Sequence, residues 1–150
     1  SVSELKGKRF AFGNERSTIG RYLSQQHLLQ HGITAADLSH FDYLGRHDRV
    51  GYAIAAGDFD AGALKESTYK KLLQKDVALR PIATFQNVTK PWIARSGLSE
   101  RVFSALRLAL LEYKNPEGLK ALGKDGFVDG SHEDYLPIVE AVRNNPDFYK

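Results

Sequence analysis

Residues 8–20 read KRFAFGNERSTIG, and this stretch decides the fold. Its first five residues, 8–12, favour a short strand because aromatic and apolar side chains dominate them. Ser17 or Thr18 then caps a helix that runs to about His31, since a hydroxyl before a helical pattern is a common start signal. A strand that turns directly into a capped helix is typical of an α/β unit.

The α/β pattern continues as far as residue 85. Short apolar stretches alternate with helical stretches, which favours a mixed or parallel sheet flanked by helices. The predicted elements are a strand and turn at 40–45, a helix at 47–56, a strand at 59–64, a helix at 66–75 and a strand at 79–85. The predicted fold class is therefore α/β.

The pattern becomes helical towards the C-terminus. We expect helices over 99–114, 116–122 and 133–144, the first of them amphipathic. The predicted division of the chain is an α/β ligand-binding lobe at 1–88 and a helical C-terminal part at 89–150. This second part either belongs to another lobe or packs on the first.

The composition excludes several classes of function. The 21 basic and 18 acidic residues are scattered, and basic clusters no longer than Lys70-Lys71 predict no nucleic-acid partner. The absence of cysteine excludes disulfides, thiolate metal sites and cysteine nucleophiles. No apolar run approaches the ~18 residues of a membrane span. A chain that begins at Ser1 without a leader is expected to be a processed product or an excised piece.

Ser17 and Thr18 are the first candidate ligand-binding residues. The N–H groups at a helix start lack partners inside the helix and carry the positive end of its dipole, which suits an anion. Two adjacent hydroxyls can add hydrogen-bond donors for an oxyanion. The alternative is an ordinary capped helix without a ligand.

His47 and Asp60 are the other candidates. His47 begins the second predicted helix, where the helix dipole disfavours an imidazolium, so we predict a neutral ring that donates one hydrogen bond. A cap or a surface histidine is the alternative. Asp60 is expected at the carboxyl end of its strand, where ligands of open α/β sheets bind. For this carboxylate the alternative is a buried acid bonded to backbone amides.

Two motifs that suggest other chemistry are incomplete. Residues 118–125, GLKALGKD, match the spacing of a phosphate-binding loop but lack a Ser or Thr after the lysine and a preceding strand. His27 and His31 have a metal-compatible spacing without an evident third ligand. Nothing in the sequence identifies a catalytic triad. We therefore expect no catalytic residue, no metal and no cofactor.

The order of these pieces resembles that of the substrate-binding proteins of phosphate, phosphite and phosphonate ABC importers. The resemblance covers roughly residues 5–114. Its pieces are residues 8–13 and 17–20, Tyr22-Leu23, His47-Asp48, Ala53-Ile54, Gly57, Asp60 to Ala63, residues 80–84, residues 91–93, and Leu98-Ser99.

The resemblance implies the type II periplasmic-binding-protein fold, in which two lobes close about a hinge on a ligand held between them. It implies that Ser17, Thr18 and the amide of Ile19 bind the oxygens of the anion. It also assigns His47, and with it Asp60, to the ligand site. Ile19 departs from the family, which usually has a third small or hydroxylic residue there.

A second departure is the N-terminal half of the family's first lobe, which has no counterpart in these 150 residues. In the family this half covers the apolar stripe of the helix predicted from Ser99. We therefore expect either a homodimer or repacking of the stripe on residues 133–150.

The function implied by the resemblance is solute recognition without catalysis. A small oxyanion of the phosphonate or phosphate type is captured and delivered to the membrane permease of an ABC importer. The implied location is the periplasm, or an extracytoplasmic site with a lipid anchor. The alternatives are a sensor domain of the same fold from a membrane signalling protein and an enzyme of unknown reaction.

Overall fold

A computed structural model of the chain describes residues 1–87, 90–143 and 148. The chain forms two compact units. The first comprises Ser1–Asn87 with Leu136–Lys150, and the second comprises Val88–Tyr135. The predicted division placed all of residues 89–150 in one part, whereas the structure returns the chain to the first unit at Leu136.

A parallel sheet lies at the centre of the first unit. Its strands are β1 (Arg9–Phe12), β2 (His40–Tyr43) and β3 (Ala61–Gly62), in the order β2-β1-β3. Phe10 of β1 pairs with Phe41 on one side and Ala61 on the other. Since β1 is the central strand, Phe10, Ala11 and Phe12 are all buried, as expected for a parallel sheet with covered faces. The predicted α/β class is confirmed.

Helices follow the strands of the first unit in the predicted order. A π-helical turn after β1 continues directly into the first α-helix, and each of the next two strands is also followed by a helix. The described helices of this unit are the π-helical turn Thr18–Leu23, α1 (Ser24–Gln30), α2 (His47–Ala55), α3 (Glu66–Leu73) and α6 (Leu136–Arg143), with 3-10 turns at Val2–Leu5 and Ala35–Asp37.

An aromatic cluster on the sheet explains why the C-terminal segment belongs to the first unit. The ring of Phe12 stacks on Tyr43 at 5.5 Å and meets Phe148 edge-on at 5.6 Å. The hydroxyl of Tyr43 donates to the carbonyl oxygen of Phe148 at 2.7 Å and accepts from the Gln25 amide at 2.6 Å. Phe148 is fully buried, so this residue completes the core of the α/β unit.

The second unit contains α4 (Glu100–Leu111), α5 (Pro116–Leu122) and a 3-10 turn at Glu133–Tyr135. Inside this unit Arg107 forms an ion pair with Asp129, and Trp92 lies edge-on to Phe127 at 5.3 Å. The side chains of α4 are mostly exposed, including the apolar ones. The described helices of the chain include none with the length and hydropathy needed to cross a membrane.

Two predicted strands are wrong in whole or in part. Residues 79–85 do not form a strand, because this stretch has no hydrogen-bonded neighbour in the sheet and strand backbone groups require one. The strand predicted over 59–64 is only Ala61–Gly62. Helix ends differ from the predictions by a few residues, as frayed ends commonly do.

Candidate functional site

The loops that follow β1 and β2 run side by side at the carboxyl edge of the sheet. Leu44 donates its N–H to the carbonyl of Phe12 at 3.0 Å, and Gly45 donates to the carbonyl of Gly13 at 3.1 Å. These bonds extend the strand pairing one step past the sheet. They bring the start of the π-helical turn next to His47, the first residue of α2.

Two glycines allow a close approach of backbone at this edge. The N–H of Gly13 donates to the carbonyl of Gly20 at 2.7 Å. A Cβ atom on Gly20 would lie 3.0 Å from Cα of Gly13, 3.1 Å from Cε1 of His47 and 3.1 Å from Oγ of Ser17. Gly20 is therefore flanked by both Ser17 and His47, and the two predicted site residues come together around it.

The π-helical turn presents unpaired donors on this surface. Ser17 caps it as predicted, because its Oγ accepts from the N–H of Gly20 at 2.9 Å. The carbonyl of Ser17 accepts from both Arg21 and Tyr22, at 3.0 and 3.3 Å, which widens the turn. Within the described residues, the N–H groups of Thr18 and Ile19 have no acceptor. Short π-helical insertions of this kind are frequent at functional sites.

His47 lies half-buried against the two glycines. Burial lowers the pKa of its imidazole, the positive charge of Lys65 lowers it further, and the carbonyl of Ala63 opposes the shift. Its Nδ1 is buried and has no hydrogen-bond partner within the described part of the chain. The ring is therefore neutral near pH 7, and its Nδ1 retains unused hydrogen-bonding capacity.

Asp60 lies at the opposite edge, and its predicted position at the carboxyl end of a strand is wrong. It precedes β3, and the parallel register that pairs Phe10 with Ala61 sets Asp60 beside Arg9 at the amino edge. Its Oδ2 accepts from the Arg9 N–H at 2.8 Å, and its Oδ1 accepts from the guanidinium at 2.9 Å. The Arg9 side chain, with this backbone bond, lowers the pKa of Asp60 to about 2.

This bonding is close to the alternative predicted for Asp60, an acid held by a backbone amide. The carboxylate is not deeply buried, since its side chain is 36% exposed. Its partner Arg9 also donates to the carbonyl of Gly57 at 2.9 Å. Asp60 therefore ties the start of β1 to the start of β3, away from Ser17 and His47.

Beside His47 the structure has a cleft of about 480 Å³ that sequence reasoning missed. It lies between α2 and α3. The imidazole of His47 borders both this cleft and the surface around Gly13 and Gly20. Its lining residues are Asn14, Gly45, Arg46, His47, Asp48, Tyr52, Thr68, Lys71, Leu72 and Lys75. The spacing of Lys71 and Lys75, one helical turn apart, is the sequence signal that could have indicated a basic face.

The motifs set aside in the sequence have no ligand geometry. The described residues contain no group of three or more His, Cys, Asp and Glu able to hold a metal ion. The rings of His27 and His31 lie 4.4 Å apart, and Nδ1 of His31 hydrogen bonds the carbonyl oxygen of His27. The loop-like motif at 118–125 lies mostly in α5, which ends at Leu122 with Gly123 as its C-cap, and the element before α5 is a helix and not a strand.

Comparison with known proteins identifies the class. The family described as the phosphonate ABC transporter periplasmic substrate-binding protein matches residues 1–135. The chain belongs to this family, and the resemblance predicted from the sequence is confirmed.

A curated relative is the probable ABC transporter phosphite binding protein PhnD1 of Prochlorococcus marinus (strain MIT 9301). It is 34% identical over an alignment that covers 67% of this chain and 36% of the relative. The chain thus spans little more than a third of the length of that protein.

A solved structure, PhnD1 from Prochlorococcus marinus (MIT 9301) in complex with methylphosphonate, has a similar fold. The TM-score is 0.71 and the identity 24%, over 95% of this chain and 58% of the other. This likeness confirms the predicted periplasmic-binding-protein fold.

Proposed function

We propose that this chain binds a small phosphorus oxyanion at the carboxyl edge of its sheet, without catalysing a reaction. The observation that carries the proposal is the meeting of Ser17 and His47 at Gly20, where each lies 3.1 Å from the position of an added Cβ. Parallel sheets bind ligands at this edge. The solved neighbour that shares the fold holds a methylphosphonate, and the curated relative is named as a phosphite binding protein.

The proposed contacts follow from the donors at this edge. The N–H groups of Thr18 and Ile19 and the hydroxyls of Ser17 and Thr18 would supply hydrogen bonds to the anion oxygens. Nδ1 of His47 would add one more contact, as an acceptor from a protonated ligand oxygen or as a donor. A multiply charged anion loses its hydration on binding, and several converging donors are needed to offset this cost.

The proposed role in the cell follows the family. Its members are the periplasmic substrate-binding components of ABC transporters. We therefore propose that the protein works outside the cytoplasm and passes its oxyanion to a membrane permease. Turnover is not part of the proposal, because a binding protein releases its ligand unchanged.

The test is a calorimetric titration of the purified protein with methylphosphonate, phosphite and phosphate. Nitrate, a planar monoanion, serves as the control ligand. Saturable heat with at least one of the tetrahedral oxyanions, and none with nitrate, is the expected result. Ligand recovered unchanged after incubation excludes turnover of that ligand. Absence of binding to all three oxyanions would overturn the proposal.

A further inference from the structure

The cleft between α2 and α3 is held in shape by a tight helix contact. A Cβ on Gly51 of α2 would lie 2.2 Å from Cδ1 of Leu72 of α3, so the two helices are in direct contact there. Glycine permits this approach because it has no side chain to displace. The contact places Lys71 of α3 and Lys75, just past the end of α3, along the same cleft as Arg46 and His47.

The charge of the cleft is positive and largely uncompensated. Asp48 is the acid among its lining residues, and Arg46 already binds it through two hydrogen bonds of 2.9 and 2.5 Å. Lys71 and Lys75 form no ion pair with any described residue. Their neighbour Lys70 differs, because it pairs with Glu66 at 2.6 Å and lies outside the cleft.

The cleft adjoins the proposed oxyanion site at His47. His47 lines the cleft and also borders Gly20, while Asn14, another lining residue, follows Gly13 directly in the chain. A ligand held at the start of the π-helical turn would therefore have this cleft at its side. Lys65 adds a further positive charge near His47, as the lowered pKa of the imidazole indicates.

We propose that this cleft is a subsite for the substituent of the bound oxyanion and that it selects a second negatively charged group, such as a carboxylate. The inference rests on the proposed function, since it concerns the part of the same ligand that extends past His47. Unpaired lysines attract an added anion and repel an ammonium. The favoured ligand class is thus phosphonates with an acidic substituent, and aminoalkylphosphonates are disfavoured.

The test compares three probes by titration of the same protein. Methylphosphonate has a neutral substituent, phosphonoacetate an anionic one and 2-aminoethylphosphonate a cationic one. We expect the tightest binding with phosphonoacetate and the weakest with 2-aminoethylphosphonate. In the double variant Lys71→Gln/Lys75→Gln, phosphonoacetate should bind about tenfold more weakly, roughly threefold for each charge removed. Methylphosphonate should change by less, and 2-aminoethylphosphonate should bind more tightly.

Lys70→Gln is the control variant, because it removes one positive charge from α3 outside the cleft. It should leave the order and the ratios of the three affinities unchanged. Raising the salt concentration should reduce the preference for phosphonoacetate in the wild type, since these lysines are solvent-exposed.

The outcomes separate the two proposals. If none of the three phosphonates binds the wild type, the subsite is refuted, and the titrations with phosphite and phosphate decide whether the oxyanion site stands. If methylphosphonate binds but phosphonoacetate binds no more tightly, the subsite is wrong while the oxyanion site stands. Equal losses of affinity for all three probes in the double variant would also overturn the subsite, because they would show general attraction without selection of the substituent.

Discussion

The N–H of Gly13 donates a 2.7 Å hydrogen bond to the carbonyl oxygen of Gly20. This bond folds the first turn of the helical segment back on the end of β1. It sets Ser17 on one side of Gly20 and His47 on the other. The arrangement of the proposed site therefore depends on two residues that have no side chains of their own.

Gly20→Ala should damage both stability and binding. The added methyl would lie within 3.1 Å of Gly13, Ser17 and His47, and overpacking of this kind typically costs about 1–3 kcal/mol. Urea unfolding and titration with methylphosphonate measure the two effects. Gly126→Ala is the control, because a Cβ there meets nothing within 4 Å. Wild-type affinity in Gly20→Ala would show that the close approach is not needed for binding.

Ser17→Ala/Thr18→Ala should weaken oxyanion binding by roughly 1–3 kcal/mol, the scale for lost hydrogen bonds to a charged group. Stability should fall by only about 1 kcal/mol, because Ser17 loses its cap to Gly20. Calorimetry and thermal unfolding separate these effects.

The cap control for this double variant is Asn115→Ala. Asn115 accepts from the N–H of Gly118 at 2.9 Å and caps α5, far along the chain from the proposed site. It should cost similar stability and leave affinity unchanged. If the double variant also loses stability and keeps its oxyanion affinity, Ser17 and Thr18 only cap the helical segment and do not bind the ligand.

Acid should destabilise the first unit through its partly buried histidines. Burial is the main cause that lowers the pKa of both His27 and His47. The unfolded chain, with a histidine pKa of about 6.5, therefore takes up protons before the folded chain does. The free energy of unfolding should be unaffected by these groups above that pH and should fall as the pH drops below it, until the folded histidines also protonate.

The contribution of His47 can be isolated with His47→Gln. Its stability should depend less steeply on pH below about 6.5 than that of the wild type. Ser17→Ala is a substitution at the same surface that removes no titrating group. It should lower the free energy of unfolding at every pH without changing how steeply that free energy depends on pH. Superimposable slopes for the wild type and His47→Gln, from urea unfolding at several pH values, would contradict the assignment.

Asp60→Asn should leave oxyanion binding unchanged. The carboxylate binds Arg9 at the amino edge of the sheet, away from the proposed ligand. Stability should fall only slightly, because exposed ion pairs contribute little. Since Arg9 holds the pKa of Asp60 at about 2, the stabilising contribution is present above the unfolded value of about 3.9 and is lost as the pH falls towards 2. A large loss of oxyanion affinity in Asp60→Asn would show that Asp60 contributes to the ligand site.

Features set by neighbouring residues could be predicted from the sequence. Ser17 caps the turn after β1, and His47 begins α2, as the local pattern indicates. The juxtaposition of these two residues could also be expected, because both helical segments start at the carboxyl edge of one parallel sheet.

Features set by partners distant in the chain could not be predicted. The place of Asp60 depends on the register between β1 and β3, which pairs Phe10 with Ala61. The basic cleft depends on the approach of Leu72 to Gly51. Neither pairing produces a periodic pattern in the sequence. The sequence alone therefore indicates neither the position of Asp60 at the amino end of β3 nor the cleft between α2 and α3.

The hydrogen bond from Tyr43 to the carbonyl of Phe148 joins residues 105 positions apart. Closing a loop of that length costs conformational entropy before its contacts form, and such non-local contacts slow folding. During synthesis the core around Phe12 stays incomplete until Phe148 has left the ribosome. The α/β unit therefore completes its core only after Phe148 has been made, long after the strand residues on which Phe148 packs.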